Sequence, residues 1–443
     1  MSGLDERALL ERATHMVALA QALGAQEVSA AIGTGTSTEL SRRDGKVEKA
    51  QESRSVSASV DLMVDGRFSS HSTNDLRPEG FRPFLERAIA ATRFLEPDPH
   101  RTLPPRESMG LADVDLDLED PAYAALDTDA RRAWAEKMEA ATIAAAKGSV
   151  RSITAYVWDG VSEGVTVTSN GFVEYGRRTS FGHGATVSLE DSDGRLPEGF
   201  AAVGATHRTD IPSIERIAAE AAGRAAARLG SRPTASGRYP MLLDRKGVGR
   251  VLGAMLGPLG GTSIYEGRSC MADKLGTRIA STALSLWDDP MIPRGAGSRR
   301  SDGDGLPSQR RPIVLDGVLQ MFFIGVYNSR RMQVPVTTSG ASNLVIAPGA
   351  ASPEALLAGL PRAIRVDSFL GGNTNAATGD FSFGIQGALF EHGQVVQSLS
   401  EMNVAGNIFD LLDRFVSAAD DPWTFSAWRC PSLLFDAVQF SGT

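Results

Sequence analysis

Five dipeptides frame this chain: Asp44-Gly45, Asp65-Gly66, Asn170-Gly171, Asp316-Gly317 and His392-Gly393. Each sets a glycine after a residue that tolerates the left-handed backbone region, which is the chemistry of a tight antiparallel hairpin. The runs around them are rich in Val, Ile, Ser and Thr, so the punctuation predicts antiparallel sheets. Strands are expected over 27–32, 36–42, 46–64, 67–72, 150–158, 163–169, 172–178 and 184–189. Helical spacing interrupts them: Leu9, Ala13, Met16, Val17, Ala20 and Leu23 share one face, and Gly24 follows where a C-terminal cap belongs. Further helices are predicted over 81–92, 127–147 and 214–229, the last after the capping segment 210–213.

The Gly-, Ser- and Pro-rich stretch 230–237 reads as a linker and splits the chain into domains 1–230 and 238–443. Beyond it come a strand at 239–243, a short helix at 246–256, a helix at 353–360, strands at 342–347 and 432–440, and the last two hairpins. The fold class is α+β. An N-terminal α/β domain with antiparallel hairpins precedes a mostly-β C-terminal domain, a sandwich or barrel-like sheet.

At 443 residues the chain exceeds one ordinary core, and 42% hydrophobic with 22% charged residues is globular composition. A net charge of −8 argues against nucleic acid or anionic lipid as partner. No apolar run reaches the roughly 20 residues of a membrane span; the stretch 313–326 is broken by Asp316, Gly317 and Gln320. The first sixteen residues are charged from Asp5 onward and carry no apolar leader or cleavage site. The two cysteines, Cys270 and Cys430, make no disulfide framework, and a cytoplasmic location is expected.

Familiar catalytic signatures are absent: no phosphate loop, no nucleophile elbow, no HExxH. Gly247, Gly249 and Gly253 approximate a dinucleotide fingerprint with the last glycine one position late. Of the six histidines no two lie three to five residues apart, which excludes a zinc site on one helix face. His183, between Gly182 and Gly184, reads as a surface or hydrogen-bonded strand residue that could line a cleft. The run Asp302-Gly303-Asp304-Gly305 lacks the later ligands of a calcium loop and reads as a turn.

Several segments taken in order carry a resemblance. They are Lys246 to Tyr265 with its Gly260-Gly261-Thr262-Ser263-Ile264-Tyr265 end, Ser301 to Arg311, Asp316-Gly317-Val318-Leu319, Tyr327-Asn328-Ser329-Arg330-Arg331, Thr378 to Gly384, Asn403 to Asn407 and Cys430 to Leu433. Together they resemble the TldD/PmbA peptidase family in its PmbA/TldE-type subgroup. In that family's metal-bearing TldD members the helix corresponding to 246–256 carries HExxxH. On this sequence Val251, Leu252 and Leu256 stand at those positions, and apolar side chains offer zinc no donor. Cys430 matches the family cysteine and reads as a buried small hydrophobe.

The resemblance implies a subunit that is not catalytic by itself and holds no cofactor. Its partner would be a TldD-type HExxxH subunit bearing zinc, in a heterodimer whose chamber admits unfolded or precursor peptides. An extended peptide can add as a strand to an open sheet edge. The candidate channel residues are therefore Ser342, Asn343, Leu344, Val345 and Ile346, with His183. Two other readings stand beside this one: a protein-binding modulator of DNA gyrase, and an independent thiol peptidase using Cys430.

Overall fold

The computed structural model describes residues 5–442. Met1–Leu4, with the start of the segment read above for a leader, and Thr443 lie outside the described residues. Helix α1 (Glu6–Ala22) is capped by Asp5, which accepts from the Ala8 amide at 2.8 Å, and buries Leu9, Ala13, Met16, Val17 and Ala20, the face its spacing predicts. Then follow β1 (Glu27–Arg43), β2 (Lys46–Val64), β3 (Arg67–Thr73), α2 (Pro78–Thr92), α3 (Thr128–Ala145), β4 (Val150–Thr168), β5 (Val173–Leu189), β6 (Glu198–Ala205) and α4 (Ile214–Ala226). The six strands form one antiparallel sheet in the order β3-β2-β1-β4-β5-β6. At the turns joining β1 to β2 and β2 to β3, Asp44, Gly45, Asp65 and Gly66 all have positive φ, as two-residue hairpins require.

The sheet departs from expectation in one systematic way. The strands predicted as pairs, 27–32 with 36–42, 150–158 with 163–169, and 172–178 with 184–189, are each one long strand. Glycines at 33, 35, 160, 164, 182 and 184 mimic breaks, yet pairing on both sides holds the backbone extended through them. Gly182 shows why a glycine stands there: a Cβ would meet the Trp158 ring at 2.0 Å, so the indole lies across the bare backbone. Helices α1 and α2 cover one end of the sheet, burying Val28, Ile32, Leu62, Phe81 and Leu85 among others. Helices α3 and α4 cover the other, over Ala155, Ala185, Val187 and Val203.

The second lobe contains β7 (Gly237–Leu243), α5 (Val248–Leu256), α6 (Gly261–Tyr265), β8 (Leu286–Asp288), β9 (Arg311–Leu315), β10 (Val318–Leu319) and α7 (Val326–Met332). After these come β11 (Leu344–Val345), α8 (Pro353–Ala358), β12 (Arg362–Thr374), β13 (Asp380–Glu391), β14 (Gln394–Asn407), α9 (Ile408–Asp413), β15 (Phe415–Ala418), β16 (Trp428–Arg429) and β17 (Leu433–Ser441). Strands β14, β13, β12, β7 and β17 pair in sequence, and β14 meets β17 through Asn403 opposite Ser441 and Val404 opposite Phe440. The five strands thus form a closed barrel, the barrel-like alternative of the sequence reading. A second sheet, β10-β9-β8-β11-β16, stands beside it, and one apolar core runs from α5 through both.

The lobes are fastened together. Trp423 and Phe425, which precede β16, pack against the core under α3 and α4. Arg178 of β5 donates to the carbonyls of Gly295, Ala296 and Ser298. Among the described residues no helix is long and apolar enough to cross a membrane.

Gly199 of β6 supports α4 directly: a Cβ there would meet Ala221 O and Ala225 N at 2.2 Å. Gly199→Ala must push the helix off the sheet, and overpacking of this kind costs about 1–3 kcal/mol. Denaturant unfolding of the variant should show that loss, and an unchanged midpoint would mean the helix shifts freely.

Candidate functional site

Helix α5 is where the family resemblance looks for metal, and its surroundings explain its residues. Val248, Val251, Leu252 and Met255 point into the core, and Leu256 packs partly buried against it. The ridge formed by Gly249 and Gly253 carries the Trp428 ring, which a Cβ would meet at 3.0 and 3.8 Å respectively. The helix is therefore held by apolar packing on one side and by an indole on another. Among the described residues no group of three or more His, Cys, Asp or Glu is placed to hold a metal ion. Val251, Leu252 and Leu256 offer no donor atom, so the side chains present do not fit a zinc ion.

Cys430 follows two residues after Trp428 and is fully buried. Its Sγ lies 3.6 Å from Leu344 O, and burial pushes the thiol up to about 12. A thiol peptidase needs an accessible thiolate and an activating neighbour. Cys430 has neither, and His183 lies in the other lobe.

The segment 342–346 corrects the expectation of an open edge. Only Leu344 and Val345 form a strand, β11, and it pairs with β8 on one side and β16 on the other. Both edges are used by long-range partners, so no peptide can add there. Ser342 donates from its amide and its hydroxyl to Asp288 Oδ1 at 2.6 and 2.7 Å. Burial holds that carboxyl above its ordinary range. Asn343, wholly buried, accepts from the Gly297 amide and donates to Asp289 O and Ser298 Oγ, each at 2.8 Å. Leu344 and Ile346 belong to the core and Val345 is half-buried. These side chains brace the second sheet.

His183 also differs from its sequence reading. It is buried on the helix side of β5, 5.6 Å edge-to-face from Trp134, and its Nδ1 is buried without a hydrogen-bond partner. It is neither a surface residue nor one bonded through Nδ1. Burial, aided by the Arg208 guanidinium, lowers it to about 4.

The other motifs behind the resemblance are clasps. Asp302 accepts from the amides of Asp304, Leu306 and Ser339, while Asp304 Oδ2 accepts from the Val326 amide at 2.8 Å. That run is a self-satisfied turn joined to α7. Tyr327 Oη donates to Asp98 at 2.8 Å, and Arg330 donates to the carbonyls of Thr102 and Leu103, tying α7 to the first lobe. Asp380 accepts from Thr378 and Asn407 at 2.7 and 2.9 Å, and these bonds hold its carboxyl below its usual value. The sequence reading missed Trp428 and Trp158; each lies over glycines, and only the folded pairing brings ring and glycine together.

A sheet-and-helix lobe joined to a closed five-stranded barrel, with the apolar helix α5 in its core, defines the architecture, and comparisons give it a family. The model for the PmbA/TldA metallopeptidase C-terminal domain matches residues 236–442, that for domain 1 matches 28–92 and that for the central domain matches 121–229. The chain belongs to the PmbA/TldD metallopeptidase family. Metalloprotease PmbA of Escherichia coli O157:H7 is 26% identical over 440 residues, covering 99% of this chain and 97% of that protein. A Bacteroides thetaiotaomicron crystal structure described as a candidate modulator of DNA gyrase superposes with TM-score 0.94 at 31% identity, covering 100% of both chains. TldE from Thermococcus kodakarensis shares the fold, with TM-score 0.84 at 18% identity over 97% of this chain and 100% of that one. The two matches before residue 230 fall on a single continuous sheet.

The buried histidine yields a pH prediction. Its native value of about 4 lies below the ordinary 6.5, so between these limits the unfolded chain takes up a proton that the native one refuses. Stability should fall as pH drops through that window, by about 3 kcal/mol at its foot. His183→Gln should flatten this part of the stability-against-pH curve measured by urea unfolding. An unaltered slope would show that the imidazole is not its source.

Proposed function

We propose that this chain is the TldE-type subunit of a TldD/TldE-type metallopeptidase complex, acting with a zinc-bearing HExxxH partner on unfolded or precursor peptides. In this reading it is not catalytic by itself and forms part of the wall of the substrate chamber. The observation that carries the reading is α5: its framework is retained while the positions matched to metal ligands are Val251, Leu252 and Leu256, packed in or against a core. A chain that kept its own hydrolytic site would need imidazole, carboxylate or thiolate donors there. The Escherichia coli relative's name, metalloprotease, supports peptide hydrolysis as the setting, and the Thermococcus relative's name supports the TldE assignment. Two free cysteines and no disulfide fit a cytoplasmic complex.

Strand addition at β11 has no part in this reading, because both its edges are paired. Catalysis in such a complex depends on holding an extended chain against the partner's metal, and orientation of this kind is worth orders of magnitude in rate. This subunit's part is to position the chain and exclude folded proteins.

The test is reconstitution with a TldD-type partner. The purified chain alone should hold no stoichiometric zinc by elemental analysis and cleave no disordered peptide. The partner alone should cleave about tenfold or more slowly than the mixture, and the two should co-elute. Stoichiometric zinc in this chain after dialysis, or full activity of a partner that never co-elutes with it, would overturn the proposal.

A further inference from the structure

The sheet of the first lobe ends in two edges that differ in kind. On one side β3 pairs with β2 only from Ala58 onward, and among the described residues no strand pairs with the outer edge of β2 from Lys46 to Ser57. That stretch carries Lys46, Glu48, Lys49, Glu52 and Arg54, all exposed. Charges set along an open edge keep a foreign strand from pairing with it. On the other side β6 pairs with β5 alone. From Gly199 to Ala205 it has no charged residue and no proline, and its pairing runs without a register shift. The usual guards of an open edge are missing there.

The register tells which groups of β6 are free. The Leu189 amide donates to Pro197 O, and the same register sets Val187 opposite Gly199 and Ala185 opposite Ala201. Bonded and non-bonded pairs alternate in an antiparallel ladder, so Glu198, Phe200, Ala202 and Gly204 turn their N–H and C=O groups outward. Arg228 donates to Glu198 O, which confirms that direction. The main-chain groups of Phe200, Ala202 and Gly204 have no partner among the described residues. Both ends of the strand touch the second lobe: Arg228 also donates to Ser368 Oγ of β12, and Thr206 Oγ1 donates to Arg294 O.

Gly199, Ala201 and Val203 face α4, so the side chains of Phe200, Ala202 and Gly204 belong to the opposite face of the sheet, which no helix covers. A hollow of about 510 Å³ lies on that face, lined by Tyr156, Trp158, Phe200 and Ala202 among others. The Trp158 ring spans Gly182 and Gly204, which a Cβ at those positions would meet at 2.0 and 3.5 Å, so the indole reaches to the edge strand. Phe200 stands edge-on to Tyr156 at 6.4 Å and is 54% exposed. The carboxylates bordering the hollow, Glu39 and Asp159, are answered by Lys49 and Arg131. The hollow therefore offers ring surface and no free charge, beside small residues that leave it open at the edge.

We propose that β6 is a strand-addition site: an extended, unfolded peptide pairs through its main chain with Phe200, Ala202 and Gly204 and sets an apolar or aromatic side chain into the hollow beside Tyr156 and Trp158. Residues opposite Ala202 and Gly204 would point to the same face as they do, where only a methyl group and a hydrogen stand in the way. Main-chain bonds supply affinity without regard to sequence, and the hollow adds a preference for an apolar residue at alternate positions. So short an open stretch is a small part of the roughly 800 Å² that a stable dimer takes from each partner, and it suits a single flexible chain. The inference rests on the peptide reading above and gives that peptide its place on this chain.

The test is fluorescence anisotropy of a labelled disordered peptide bearing a single phenylalanine, titrated with the whole chain and no partner. Saturable binding is expected, weaker by about tenfold when serine replaces that phenylalanine, since the ring is the group taken out of water. Ala202→Pro removes an outward N–H, a change an edge strand tolerates, and should weaken binding by about tenfold. Phe200→Ser, at an exposed position, should reduce the preference between the two peptides and covers the case in which the proline variant does not fold. Absence of binding, or wild-type behaviour of both variants, would overturn the inference. So would a dimer in light scattering that Ala202→Pro dissociates, because the edge would then serve a second copy. Cleavage by the mixture with a TldD-type partner separates the two proposals: binding here without cleavage there removes the peptidase reading alone, and cleavage there without binding here removes only this site.

Discussion

A five-stranded barrel exists only if its first and last strands meet, and here that closure rests on a short contact between β14 and β17. It brings Val404 opposite Phe440 and leaves neither strand with a free edge at that point. Phe383, Phe435 and Phe440, on strands of this barrel, are fully buried in the same core as α5. Helix α5 is a structural support in this chain, with Val248, Val251, Leu252 and Met255 packed into that core. Its apolar side chains follow from that position as directly as donors would follow from a ligand site.

Local chemistry and long-range pairing left different traces in the sequence. The hairpin turns were legible because positive φ is decided within two residues, as at Asp44-Gly45, Asp316-Gly317 and His392-Gly393. The first helix was legible for a similar reason, since its spacing and its cap are both local. Long strands were cut in two on paper because a glycine inside a strand looks like a break until its neighbours are known. Strand β12 and strand β6 left no usable signal.

The candidate site divides along the same line. The apolar character of Val251, Leu252 and Leu256 is plain in the sequence, and a buried Cys430 fits its apolar neighbours. That 342–346 is an interior brace could not be seen, because its partners, Trp287 in β8 and Trp428 in β16, lie far away in the chain.

Strand β17 pairs with β7 across about 200 residues, as with Gln439 opposite Arg238. Contacts so remote in sequence form slowly, since a large loop must be closed before any of them can form. The first lobe draws its sheet and all four covering helices from residues before 230 and can complete its pairing while the second is still being synthesised. The barrel cannot, because β7 waits for β17. For that interval β7, with Met241, Leu242 and Leu243, is an unclosed apolar edge, the kind of surface on which a chaperone acts or an aggregate begins.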